Sequence, residues 1–199
     1  MVMDDDTLLR AIARDLDGCF EALVRGHQDR IYSIALRLTG DASDAEEVAQ
    51  DTFLRAYRAL GTYEARRIRK LHLRAWLATI AVNLCRNRAA RRRPRTVSLS
   101  GPTGDPAEVE HLLPPTPAAE GPAGASARRE GAERWARLVA DLPERYRAAV
   151  VLRHVDGLSY EEMSEVLGRP EGTVKAQVHR GLALLRAAFE AAEREESIA

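Results

Sequence analysis

The sequence predicts an all-α protein of two small helical domains joined by a flexible linker. Apolar residues recur at helical spacing on both sides of the middle of the chain. Aromatic residues make up only 5% of the 199 residues, which suits helical packing better than a β-sandwich. Seven of the nine prolines fall between residues 94 and 122, where apolar periodicity is absent. We therefore expect domains at 1–95 and 131–199, with the linker at 96–130.

The first domain is predicted to hold three helices. Apolar spacing indicates a helix over residues 19–38, and a glycine closes it. Ser43 and Glu46 have the spacing of a capping box, which predicts the start of a second helix that ends at the next glycine. A polar, basic connection over residues 62–70 leads to a long helix over residues 71–92.

The second domain is predicted to hold four helices. Its capping and breaking residues are local signals that divide one helix from the next. In order, we expect a helix through Trp135, Leu138 and Val139, one that Pro143 begins and Gly157 ends, a short one opened by a capping box of Ser159 and Glu162, and, after the break at Gly168-Arg169-Pro170, a last one from about Gly172.

A net charge of zero conceals a strong separation of charge along the chain. Residues 1–60 carry 7 basic and 12 acidic side chains, whereas residues 61–95 carry 11 basic and only 1 acidic. A basic block of this density within a neutral chain indicates a polyanionic partner, and nucleic acid is the most common one. A solvated basic surface is the alternative, although such surfaces usually mix the two signs.

Residues 158–180 have the pattern of a helix-turn-helix. A short supporting helix and a glycine-containing turn precede a helix with polar residues near its N-terminus, which could enter the major groove. A plain helical hairpin is the alternative, and this pattern alone does not separate a sigma factor from a repressor or a response-regulator output domain. The residues predicted to contact duplex DNA are Arg169, Thr173, Lys175, Gln177 and Arg180.

The basic block has a composition suited to single-stranded DNA. Basic side chains would bind the backbone, while aromatic and amide side chains would take up unstacked bases. Trp76 at its helical spacing is more often a core residue, and Tyr63 is balanced between the two roles. The predicted contacts are Tyr63, Arg66, Arg67, Lys70, Trp76, Asn83, Arg86, Asn87, Arg91, Arg92 and Arg93.

About two thirds of the chain resembles the extracytoplasmic-function sigma factors of the sigma-70 family. The resemblance covers regions 2 and 4 of that family, at residues 17–95 and 131–190. Besides the helix-turn-helix, the segments that resemble the family are Tyr32–Asp41, Asp44–Tyr57, Ala75–Asn83 and Leu142–Arg147. Two segments differ from the family pattern: Ala176-Gln177 stands where members often have Ser-Arg, and Glu64–His72 is irregular.

The resemblance implies a division of roles between the domains. Region 2 would melt and read the −10 promoter element, region 4 would read the −35 element as duplex, and the linker would thread polymerase channels. Residues 44–60 would dock on the β′ coiled coil of RNA polymerase core, which also includes the β subunit, and an anti-sigma factor is an expected partner. The candidate docking residues are Glu46, Glu47, Gln50, Asp51, Leu54 and Arg55.

Other functional classes lack support in the sequence. The five histidines are scattered, and no catalytic, metal-binding or cofactor-binding motif is present, so we expect neither an enzyme nor a cofactor. No apolar run approaches the roughly 20 residues of a membrane span, so we expect a cytoplasmic protein without membrane insertion. A repressor or activator that binds duplex DNA without polymerase would explain the helix-turn-helix, but not the acidic face of residues 44–60.

Overall fold

In a computed structural model, residues 3–92 and 134–196 are described, and all of their regular elements are helices. The expected all-α class and the two helical domains are confirmed, whereas the predicted linker lies outside the described residues. The helices are α1 (Asp5–Ile12), α2 (Leu16–Thr39), α3 (Ala42–Leu60), α4 (Ala65–Ile68), α5 (Leu73–Arg92), α6 (residues 134–141), α7 (Glu144–Val150), α8 (Tyr160–Leu167) and α9 (Glu171–Glu196). Among these helices, none is long and apolar enough to cross a membrane.

In the first domain, α2 packs against α3 and α5. Gly40 ends α2 in the left-handed conformation at φ 73°, as its position predicts. The predicted capping box of Ser43 and Glu46 is wrong. The N-cap is Asp41, whose carboxylate accepts a hydrogen bond from the amide of Asp44 at 2.8 Å, so α3 begins before Ser43.

Helix α1 was not foreseen from the apolar pattern. Asp4 caps it by accepting a hydrogen bond from the amide of Thr7 at 3.0 Å, and its apolar face packs on α2. This packing brings Asp5 to the buried His27, with 3.3 Å between Oδ1 and Nε2. Burial lowers the pKa of His27, although Asp5 opposes that shift.

Helix α5 lies at the centre of the molecule and is buried on more than one side. It packs against α2 and α3 of its own domain and against α8 of the second domain. Because successive helical residues are 100° apart, its buried positions cover about 200° of the circumference. These positions are Leu73, Ala75, Leu77, Ala78, Ala81, Val82, Leu84 and Cys85.

The second domain is built around close packing of α7 and α9. Gly181 allows this approach, because a Cβ there would lie 2.5 Å from Cγ2 of Val150. Helix α7 continues into a π-helical turn at Val151–Val155. The capping box of Ser159 and Glu162 is confirmed, and Gly168 closes α8 at φ 63°. The helix-turn-helix of α8 and α9 is therefore present.

The two domains touch each other. Besides the packing of α5 on α8, α2 contacts the π-helical turn. Arg30 of α2 pairs with Asp156, which follows that turn. Arg147 of α7 donates from Nη1 to the carbonyl oxygen of Leu38 at 2.9 Å. Residues more than 100 positions apart thus join the domains directly.

Candidate nucleic-acid interface

An aromatic and cationic cluster stands at the start of the basic segment. The Arg67 guanidinium lies 3.7 Å from the centroid of the half-buried Tyr63 ring. The Tyr63 and Trp76 rings are 6.1 Å apart between centroids and tilted by 57°. Buried Ile68 of the short helix α4 anchors this connection to the core. The two candidate aromatic residues are thus brought together, with a cation on the face of one ring.

The cluster continues along α5 as a narrow polar stripe. Asn83 and Asn87 are exposed. Asn83 follows Trp76 by seven residues and Asn87 follows Asn83 by four, which places all three on one face. Trp76 is half-buried, so its ring both packs on the core and reaches the surface. The side chains that could stack on bases or form hydrogen bonds with them therefore lie in one row.

The other predicted single-strand contacts are more dispersed. Arg66, Lys70 and Arg91 are exposed, while Arg86 is half-buried towards the second domain. Burial, and then the like charge of Arg169, lowers the pKa of the Arg86 guanidinium. Arg93 and the side chain of Arg92 lie outside the described residues.

The helix-turn-helix presents only part of its predicted contact set. Thr173 and Lys175 are exposed in the first turns of α9, whereas Arg180 is half-buried. Arg169 in the turn is also half-buried, and its carbonyl oxygen accepts a hydrogen bond from Ser164 Oγ at 2.6 Å. The exposed N-terminal turns of α9 have the shape and polarity that a major-groove helix requires.

The burial of Gln177 contradicts the sequence-based prediction that its side chain is available at the surface. It is only 8% exposed, and within the described part of the chain its Oε1 has no hydrogen-bond partner. Gln177 follows Val174 by three residues and precedes Gly181 by four, which places it on the inward face of α9. The apolar spacing of α9 places position 177 on the inward face, but a polar glutamine at that position led to the prediction that it is exposed.

Helix α3 presents a mixed acidic and apolar face. All six predicted docking residues are exposed, and Leu54 is 47% exposed among charged neighbours. Tyr57, one turn further on, extends the apolar part of this face at 38% exposed. Its hydroxyl donates a hydrogen bond to Asp17 Oδ1 at 2.5 Å, and its ring meets that of Phe20 edge-on at 5.0 Å. Tyr57 was missed by the sequence reasoning, which favoured charged positions.

Arg88 is a second residue that the sequence reasoning missed. Its Nε donates to Oδ1 of the buried Asp44 at 3.0 Å, and its Nη2 pairs with Glu47. These bonds tie α5 to α3 and neutralise part of the acidic face of α3. Within residues 3–92 and 134–196, no cluster of side chains could hold a metal ion.

Comparison with known families accounts for both domains. Residues 23–95 match the family described as Sigma-70 region 2, and residues 132–185 match Sigma-70, region 4. The chain is 33% identical over 178 residues to the RNA polymerase sigma-H factor of Pseudomonas aeruginosa, across 88% of this chain and 89% of that protein. It is 38% identical over 168 residues to the ECF RNA polymerase sigma factor SigE of Mycolicibacterium smegmatis, across 84% of this chain and 60% of that protein.

A solved structure has the same fold. The sigma factor RpoE from Bartonella quintana, crystallised in complex with the anti-sigma factor NepR, superposes with a TM-score of 0.61. The match covers 86% of this chain and 96% of that chain, with 20% of residues identical. At this level of identity, the likeness concerns the fold alone.

Proposed function

Because this chain belongs to the extracytoplasmic-function sigma factors of the sigma-70 family, which direct RNA polymerase to promoters, we propose a specific role for each domain. The first domain docks on core polymerase and opens the −10 element. The second domain reads the −35 element as duplex DNA. The chain contributes binding, and the polymerase contributes the chemistry. Because polymerase and promoter DNA are found in the cytoplasm, this protein acts there.

The observation that most strongly supports −10 opening is the cluster of Tyr63, Arg67 and Trp76. A base extruded from the duplex can stack on Tyr63 or Trp76 while Arg67 attracts the backbone. Extruding a base costs a few kcal/mol, and stacking returns about 1–3 kcal/mol per captured base. The cluster, with Asn83 and Asn87 beside it, therefore offsets part of the cost of opening.

Docking on polymerase is assigned to the exposed face of α3. Its acidic residues suit a basic protein surface and would repel the DNA phosphates. Leu54 and Tyr57 add exposed apolar surface, which a purely solvated face would not need. The docking partner is the β′ coiled coil of the core, with further contacts to the β subunit.

Duplex reading is assigned to the N-terminal turns of α9. Thr173 and Lys175 are the exposed candidates for base edges and phosphates, and Arg169 and Arg180 flank them. Gln177 is left out of this set, because its side chain is buried on the inward face of α9. The base preference of this helix therefore depends on a small number of side chains.

An anti-sigma factor is proposed as the regulatory partner. The solved sigma factor with the same fold was crystallised with one, and the α3 face and the N-terminal turns of α9 are exposed to a covering protein. Such a partner would withhold this chain from polymerase until a signal releases it.

The decisive experiment is run-off transcription with purified core polymerase, combined with permanganate footprinting of the −10 region. Wild-type protein should yield promoter-dependent transcripts and a melted −10 element. Tyr63→Ala should reduce melting about 5- to 150-fold, the equivalent of about 1–3 kcal/mol, and leave binding to a −35 duplex unchanged.

Phe189→Ala is the matched control for that variant. Phe189 is an exposed aromatic residue that, like Tyr63, lies beneath an arginine, with Arg134 4.8 Å from its ring, but it lies far along α9 from the DNA-facing turns. It should transcribe as the wild type does. No promoter-dependent transcript from the wild-type protein, together with a shift of duplex DNA by the protein alone, would instead favour a repressor or activator.

A further inference from the structure

Arg88 of α5 binds two carboxylates of α3 that differ in their exposure. Its Nε donates to Oδ1 of Asp44 at 3.0 Å, and the side chain of Asp44 is only 7% exposed. Its Nη2 pairs with Oε2 of Glu47, whose side chain is 59% exposed. One guanidinium is therefore held at two points, one in the interior and one at the surface.

The two bonds differ in how readily they are exchanged. A buried carboxylate that loses its cation still bears the cost of desolvation, so the bond with Asp44 is retained. An exposed ion pair contributes little to stability, because water replaces either partner at small cost. The bond between Arg88 and Glu47 can therefore be given up while Asp44 keeps the guanidinium in place.

Glu47 lies on the surface that the proposed function assigns to polymerase. It stands beside Glu46 and four residues before Asp51 on the exposed face of α3. A basic partner that docks on this face supplies a cation to Glu47. Two cations at one exposed carboxylate repel each other, so docking displaces the Nη2 group of Arg88 from Glu47.

Arg88 also borders the polar stripe of α5. It follows Asn87 directly, and the exposed Arg91 lies within one helical turn of it. Its side chain is partly exposed, so the guanidinium reaches solvent between α3 and the stripe. Once free of Glu47, the Nη2 group is a charged donor for a phosphate of a strand that lies along Asn83 and Asn87.

We propose that Arg88 is a further contact for the −10 strand, which Glu47 holds in the free chain and which docking on polymerase transfers to the DNA backbone. This role rests on the proposed function, because it takes α3 as the docking surface and α5 as the −10 surface. The contact is with a phosphate, so its contribution does not depend on the promoter sequence. A residue that only ties α5 to α3 would instead affect the free chain and the holoenzyme alike.

The test compares how the free chain and the holoenzyme bind a single strand. The probe is a fluorescein-labelled strand with the −10 region of a promoter that is active in run-off transcription. Its Kd is measured by anisotropy between about 50 and 200 mM salt, for the full chain alone and with saturating core polymerase. In the holoenzyme, Arg88→Met should raise the Kd about 2- to 5-fold and reduce the slope of log Kd against log salt by about 0.7, the value of one phosphate contact. In the free chain, it should change neither quantity.

Glu47→Gln is the opposite variant, and it leaves the bond between Arg88 and Asp44 intact. It should lower the Kd of the free chain about 2- to 5-fold, because Arg88 is released without docking. This gain should vanish when Arg88→Met is added, and it should be absent from the holoenzyme, where docking has already released Arg88.

Glu46→Gln is the matched control for the loss of charge. It removes the same charge from the same face, and within residues 3–92 and 134–196 no ion pair joins Glu46 to Arg88. Its gain in the free chain should be smaller and should persist when Arg88→Met is added. Equal gains from Glu47→Gln and Glu46→Gln would show a general charge effect and overturn the transfer of Arg88.

Two further outcomes separate the role of Arg88 from the proposed function. An unchanged salt slope for an Arg88→Met holoenzyme that retains its helical circular dichroism would overturn the phosphate contact. If Arg88→Met does not fold, the comparison of Glu47→Gln with Glu46→Gln in the free chain and in the holoenzyme decides instead. A wild-type holoenzyme that does not bind the −10 strand would refute the proposed function and the role of Arg88 with it, whereas binding without these effects overturns only the role of Arg88.

Discussion

Replacement of Leu54 by alanine tests the docking surface on α3 with a defined magnitude. Burying a whole leucine side chain stabilises a complex by about 1.5–3 kcal/mol. Leu54 is 47% exposed, so complete coverage by polymerase would contribute about 0.7–1.4 kcal/mol. Leu54→Ala should therefore raise the Kd for core polymerase about 3- to 10-fold.

The assay is fluorescence anisotropy of the labelled chain titrated with core polymerase. Leu184→Ala is the matched control, because Leu184 is 44% exposed on a helix as well, but in the second domain. Both substitutions lie at the surface and should change the free energy of unfolding by less than about 0.5 kcal/mol. Chemical denaturation confirms that any loss of binding is not a loss of folding.

Two results would refute the reasoning. An unchanged Kd for Leu54→Ala would show that α3 does not bury this side chain on polymerase. Equal losses for Leu54→Ala and Leu184→Ala would show that exposed leucines contribute without regard to position, and the acidic face of α3 would then lose its assigned role.

Three further predictions concern groups within the domains. Because burial lowers the pKa of His27, the unfolded chain takes up protons that the folded chain does not as the pH falls below about 6.5. Urea denaturation should therefore show that the free energy of unfolding decreases from pH 7 to pH 5.5. This decrease should be smaller in His27→Gln but unchanged in a variant of the exposed His72. Gly181→Ala should be less stable than Gly172→Ala by about 1–3 kcal/mol in denaturant titrations, because only the methyl group added at position 181 collides with the core. Equal stabilities of the two variants would contradict the close packing of α9. Burial raises the pKa of the Cys85 thiol to about 12. At pH 8, iodoacetamide should therefore modify this thiol far more slowly in the native chain than in the unfolded chain, which mass spectrometry can follow. Similar rates of modification would contradict the burial of Cys85.

The sequence predicts most of the helices correctly, because their signals are local. Periodicity locates the helices on both sides of the linker, and Gly40 and the capping box at Ser159 mark two of their boundaries. Local signals can also compete. Asp41 and Ser43 both offer a cap to α3, and only the geometry decides that Asp41 accepts the hydrogen bond.

The candidate site is predicted less completely, because residue type and residue position can disagree. Gln177 has a side chain that could read a base, yet its register places it on the buried face of α9. The bonds of Arg88 with Asp44 and of Arg30 with Asp156 join residues 44 and 126 positions apart. No periodicity or cap links positions at such separations, so these pairs become visible only in the folded chain.

The burial of α5 on more than half of its circumference limits how this protein can change its promoter preference. A substitution at a buried position of the helix would disturb the packing of the core and lower the stability of the fold. Exposed positions such as Asn83 and Asn87 can vary without that penalty. Natural variation and protein engineering therefore have few positions on α5 at which to change the promoter preference. More such positions lie in the neighbouring connection at residues 62–70.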